Sequence, residues 1–214
     1  VVGPILNSND EPTGVVLISG TPEQGKTLTA SNTLGDDDGL GAVNYFWKAG
    51  SDVVGSGTTL TLTQAHVGQT ITVTASYTDA FNTPESVTSA ATPPVANVND
   101  DPSGGVVISG TAGENRTLTA SNTLVDPDGL GPISYQWKAG SDVVGTGNTL
   151  TLTQAEVGKT ISVEASYTDS YGNPEKVLSP LTAPVFSASS QPQSGSLDIR
   201  KDGANATNLQ QGDV

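Results

Sequence analysis

Apolar and polar residues alternate along this chain in short runs, and Gly, Asp, Asn and Pro separate one run from the next. Val16 and Ile18 mark a first strand. Leu28, Ala30, Asn32 and Leu34 alternate with Thr27, Thr29, Ser31 and Thr33 in a second. Val43, Tyr45 and Trp47 share one face of a third, with Asn44, Phe46 and Lys48 on the other. Val53-Val54 forms a short fourth, and Thr59 to Thr63 alternate again. Gln64 to Gly68 read as a turn or a single helical turn. Ile71, Val73, Ala75 and Tyr77 give the longest strand, and Val87 marks the last. A period of two places every other side chain on a buried face, and a slip of one residue would turn that face outward.

The whole pattern occurs twice. Lys48 to Gly55 recur as Lys138 to Gly145, ninety positions on, and in the second copy Ile133, Tyr135 and Trp137 remain apolar between Ser134, Gln136 and Lys138. A period this long fits whole domains in tandem rather than solenoid units. About seven short strands per copy, closely spaced turns and one Trp on the third strand predict an all-β protein of tandem immunoglobulin-like β-sandwiches. The expected modules are residues 10–98 and 99–186. Residues 1–9 read as the end of a preceding repeat, because Gly3 to Asn7 align with Pro93 to Asn97. Residues 187–214 read as a linker and the first strands of an incomplete third domain.

Composition narrows the function. The chain has no Cys, so disulfides and thiolate metal sites are excluded, and each Trp must centre its core by packing alone. It has no Met, as expected of a segment of something longer. A net charge of −14 with eight Lys plus Arg argues against nucleic acid or an anionic membrane surface as partner and favours divalent cations. No apolar run is long enough to span a membrane. The expected partners are neighbouring repeats in the same chain, with this piece a monomeric part of a longer array.

Three acidic elements recur at the same separations. Asn9-Asp10-Glu11-Pro12 returns as Asn99-Asp100-Asp101-Pro102, Asp36-Asp37-Asp38-Gly39 as Asp126-Pro127-Asp128-Gly129, and Asp79 as Asp169. In a sandwich of this topology the linker, the loop after the second strand and the loop after the sixth lie at one end. Four or five carboxylates would converge there, at a cost in repulsion unless a cation is bound. The candidate ligands are Asp10, Glu11, Asp36, Asp38 and Asp79 in the first copy, and Asp100, Asp101, Asp126, Asp128 and Asp169 in the second. Oxygen-only ligands with flexible spacing suit Ca²⁺. Position 37 is Pro127 in the other copy, which removes it as a side-chain ligand, and Asp52 and Asp142 read as turn formers. The alternative is that Asp and Gly merely suit turns and Asn-Asp-x-Pro is a solvated hinge.

The Asn-Asp-x-Pro linkers, the Thr-Leu-x-Asp-x-Asp-Gly-Leu-Gly segments at 33–41 and 123–131, Tyr-x-Trp-Lys and Ala-Ser-Tyr-Thr-Asp resemble the tandem Ig-like repeats of very large RTX-type bacterial adhesins. The resemblance covers about residues 7 to 186, with a looser likeness of the junction to cadherins. It implies a secreted, cell-surface stalk, of the kind that serves adhesion and biofilm formation, stiffened by Ca²⁺ at its junctions. One departure is that the turns at the far end of the module, Thr21 to Gly25 and Gln64 to Gly68, carry little acid, so few ligands are expected from the preceding module. The competing expectations are a carbohydrate- or protein-binding Ig-like module, with Phe46 outward as a contact, and a self-assembly unit that accepts or donates strands. An enzyme is not expected. The only His, His66, stands where the other copy has Glu156, and reads as a solvated surface residue without a catalytic partner.

Overall fold

The structure is a computed structural model and describes residues 7–190. The first repeat forms β1 (Val16–Ser19), β2 (Thr27–Asn32), β3 (Asn44–Ala49), β4 (Asp52–Ser56), β5 (Thr59–Thr61), β6 (Ile71–Thr78) and β7 (Pro84–Thr88). A 3-10 turn, Gln64–His66, links β5 to β6. The second repeat forms β8 (Val106–Ser109), β9 (Thr117–Asn122), β10 (Ser134–Ala139), β11 (Asp142–Thr146), β12 (Thr149–Thr151), β13 (Ile161–Thr168) and β14 (Pro174–Leu178), with the matching turn at Gln154–Glu156.

Each repeat builds a three-stranded and a four-stranded sheet. The orders are β1-β2-β5 and β4-β3-β6-β7 in the first, β8-β9-β12 and β11-β10-β13-β14 in the second. This is a tandem of immunoglobulin-like sandwiches. The fourth strand lies beside the third, so the split differs from the four-plus-three of an antibody constant domain. The cause is the tight hairpin at Gly50-Ser51, where Gly50 takes φ +60° and holds β4 against β3.

The alternation read from sequence is the burial pattern observed. Leu28, Trp47, Ile71, Val73 and Ala75 are fully enclosed, together with Leu62 just after β5, while Phe46 faces outward between buried Tyr45 and Trp47. Trp47 stands opposite Val73 in the β3–β6 register, and its indole N–H donates to Gly57 O at 2.9 Å, so burial leaves no polar atom unmet. Trp137 repeats this with Gly147 O at 2.9 Å.

Contacts divide the chain into two compact units. Among the described residues, the first is 7–104 with Leu124–Ile133 and Ser166–Lys176; the second is Gly105–Thr123, Ser134–Ala165 and 177–190. The acidic loops of the second repeat therefore belong to the same unit as the first repeat and the linker between them. Of the segment 187–214, expected as a linker and the start of a third domain, only residues 187–190 fall among the described ones, and of residues 1–9, expected as the end of a preceding repeat, only 7–9 do. Substituting Trp47→Ala should lower unfolding free energy by about 3–5 kcal/mol, read from chemical denaturation of the full chain.

Candidate functional site

In the first repeat the acidic motif folds because each Asp captures a nearby donor. Asp38 N–H donates to Asp36 Oδ1 at 2.8 Å, and Gly39 closes the turn onto Asp36 O at φ +96°. Gly41 is needed for space, since a Cβ there would sit 2.0 Å from Thr78 O. Asp36 Oδ2 accepts the Tyr77 hydroxyl at 2.6 Å. Burial, and then the hydrogen bond and charge of Asp36, push the Tyr77 phenol far above its ordinary value and keep it a donor. The linker is latched to this loop: Asp10 N–H donates to Asp38 Oδ2 at 2.8 Å, and Asn9 Nδ2 to Glu85 Oε1 at 2.8 Å. Asp79 Oδ1 accepts the N–H groups of Phe81 and Thr83 at 2.8 and 2.7 Å, and Ala80 N–H reaches Asp38 O at 3.2 Å.

The second repeat is built the same way. Asp128 N–H reaches Asp126 Oδ1 at 2.8 Å, Tyr167 reaches Asp126 Oδ2 at 2.6 Å, Asp100 N–H reaches Asp128 Oδ2 at 2.8 Å, and Asn99 reaches Glu175 at 2.8 Å. The last loop differs between the copies. Asn173 Nδ2 donates to Asp169 Oδ2 at 2.8 Å, whereas Thr83 stands in its place in the first repeat and leaves Asp79 Oδ2 buried without a partner. Burial alone would raise the Asp169 carboxyl. The donors from Asn173, Tyr171 and Gly172 outweigh it and hold that group below the usual carboxylate range.

The structure thus brings Asp10, Asp36, Asp38 and Asp79 to one end of the first sandwich, and Asp100, Asp126, Asp128 and Asp169 into the matching place. Glu11 and Asp101 are exposed at their margins. The expected convergence of carboxylates on one point is not the arrangement seen. Among the described residues no three Asp, Glu or His side chains are gathered to hold a metal; Asp36, Asp38, Asp126 and Asp128 face N–H or O–H donors instead. The oxygen donors that a hard cation takes are present, though not grouped among the described residues. The buried side-chain atoms without a partner among the described residues are Gln64 Oε1, Asp79 Oδ2 and Asn97 Oδ1, and all three are oxygens.

Sequence reasoning missed two residues here. Gln24 and Gln64, from the turns with little acid, both reach the acidic elements. Gln24 Nε2 donates to Asp100 Oδ2 at 2.7 Å while its Oε1 accepts Val98 N–H at 3.2 Å. Gln64 Nε2 donates to Asp128 Oδ1 at 3.0 Å and to Pro127 O at 3.4 Å. A search for acids passes over amides, although Gln24 against Glu114 at the repeat spacing is a visible signal.

His66 is buried, contrary to the solvated residue expected. Its Nδ1 accepts Thr63 N–H at 2.9 Å, closing the 3-10 turn that carries Gln64. Glu156 does the same in the second repeat, accepting from Thr153 N–H and Oγ1–H at 2.8 Å each. The third position of this capping box needs an acceptor, and either side chain supplies it.

No family model matches the chain, and no curated protein matches it. Among solved structures it is similar to the three N-terminal domains of the bacteriophage RB49 Highly Immunogenic Outer Capsid protein (Hoc), at 17% identity and a TM-score of 0.29. That match covers 82% of this chain and 59% of the neighbour, and at this TM-score it carries no argument about function.

The cap and the Asp169 loop each give a measurable outcome. His66→Glu should leave thermal stability unchanged, while His66→Ala should lose about 1 kcal/mol with the cap. The Asp169 loop should be stable above about pH 4, the ordinary carboxylate value, and lose that stability as pH falls through its lower folded value. Amide exchange at Tyr171 and Asn173, measured through an acid titration, checks the sign.

Proposed function

We propose that this chain is a structural spacer of the kind found in bacterial cell-surface adhesins, extracellular, with Ca²⁺ bound at acidic joints to limit bending. The observation that carries this is the joint built twice from the same residues. A linker N–H is latched by a carboxylate of the module it enters, Asp10 on Asp38 and Asp100 on Asp128, both at 2.8 Å. A linker seated by its backbone loses the freedom of a flexible tether. A catalytic role has little support, since the one His is occupied in holding a turn.

Calcium would be held in the first repeat by Asp10, Asp38 and Asp79, with Glu11 and Asp36 beside them. In the second repeat Asp100, Asp101, Asp126, Asp128 and Asp169 stand at the corresponding positions, but the amides of Gln24 and Gln64 already donate to Asp100 and Asp128 there, so that joint does not depend on the ion. Bound there, it would supply the positive charge that a −14 chain lacks at its joints. Asp79 Oδ2, enclosed and without a donor, marks the first repeat as the stronger of the two places. Titration calorimetry of the full chain should show Ca²⁺ binding in preference to Mg²⁺, with one event removed by Asp79→Asn. Absence of heat with either ion would overturn the calcium part of the proposal.

A further inference from the structure

We infer that Gln24 and Gln64 form an amide clamp that closes the joint around Asp100 without a divalent ion, and that Gln24 sets this independence. The inference rests on reading the acidic joints as the stiffness elements of a spacer.

Gln24 grips the linker at two points. Its carbonyl oxygen takes the Val98 N–H, and its amide nitrogen donates to the Asp100 carboxylate. Gln64 donates to the other carboxylate of the joint, Asp128, whose second oxygen takes the Asp100 N–H. Asp100 and Asp128 are thus tied to each other and each receives an amide N–H from a turn of the first repeat. All four residues lie in the same compact unit. A carboxylate seated in a fold is costly unless positive charge or N–H dipoles face it. Here the dipoles come from neutral side chains held in place by the fold. Gln64 is positioned by the 3-10 turn that His66 caps.

The second repeat supplies the contrast. Glu114 stands where Gln24 does, and its carboxylate accepts Ala188 N–H at 2.9 Å but, unlike an amide, has no side-chain N–H to give. In the sequence, Ser190 stands where Asp100 does. In the sequence, then, an amide at the turn position goes with a carboxylate at the linker position, and a carboxylate at the turn position with Ser. Position 24 thus selects the chemistry of the next linker: Gln suits an acidic linker with no ion, whereas Glu against an acidic linker would require one.

Amide hydrogen exchange by NMR on the full chain tests this, in EGTA and in Ca²⁺, with core amides of β6 as a control for folding. In the native chain the amide at position 100 should be equally protected in both conditions. Gln24→Glu should lose about tenfold in protection in EGTA, the scale of one charge-assisted hydrogen bond. Ca²⁺ should restore it, and so should Asp100→Ser in the Gln24→Glu background without any ion. Protection in the native chain that depends on Ca²⁺ would overturn the clamp, as would a Gln24→Glu chain still fully protected in EGTA. If protection is lost in EGTA, regained with Asp100→Ser and not regained with Ca²⁺, the clamp stands and the calcium reading of the joints fails.

Discussion

A single peptide N–H donated to a buried carboxylate organises each joint of this molecule. Asp38 and Asp128 are almost fully enclosed, and each turns one oxygen to the linker residue twenty-eight positions before it. That carboxylate is fixed by its own turn, the turn by a second Asp, and the second Asp by a tyrosine hydroxyl from β6 or β13. Fixing each linker residue costs about 1–2 kcal/mol in backbone entropy, and one charge-assisted hydrogen bond returns about 1.5–3 kcal/mol. The latch alone cannot order a four-residue linker. Asn99 on Glu175, and Gln24 on both Val98 and Asp100, complete what the latch begins.

The joints also explain how so acidic a chain holds carboxylates inside a fold. Asp36, Asp79, Asp126 and Asp169 each accept an N–H from two to four residues further along the chain. Asp169, enclosed yet held below the usual carboxylate range, shows the balance favouring hydrogen bonds over desolvation. Where the donors fall short, an oxygen is left over. Thr83 in place of Asn173 orphans Asp79 Oδ2, and this exchange makes the two ends chemically different at that loop.

The strands are legible in the sequence because alternation along β2, β3 and β6 is strict, and because the second copy repeats the register with different polar residues. The location of the site is legible too, since linker, loop and β6 exit meet where the topology requires. What the acids do there is not. Their spacing predicts carboxylates facing one another, but an Asp two residues before a backbone N–H captures that N–H locally, and spacing alone cannot tell a local turn from a shared ion. Tyr77 and Tyr167 sit in phase with the core and read as apolar, which hides their hydroxyls. His66 reads as solvated until its place in the turn is known; Glu156 at the same position is the clue, since capping boxes favour Glu or Gln there. Gln24 and Gln64 are invisible to a search for charge.

The central claim is that the linkers are seated parts of the modules they enter rather than tethers. Nitrogen-15 relaxation of the amides of Asp10 and Asp100 measures this directly. An order parameter near that of the strands, about 0.85, is the expected result at both positions. A value below about 0.6 at either, with the neighbouring sandwich intact, would contradict it.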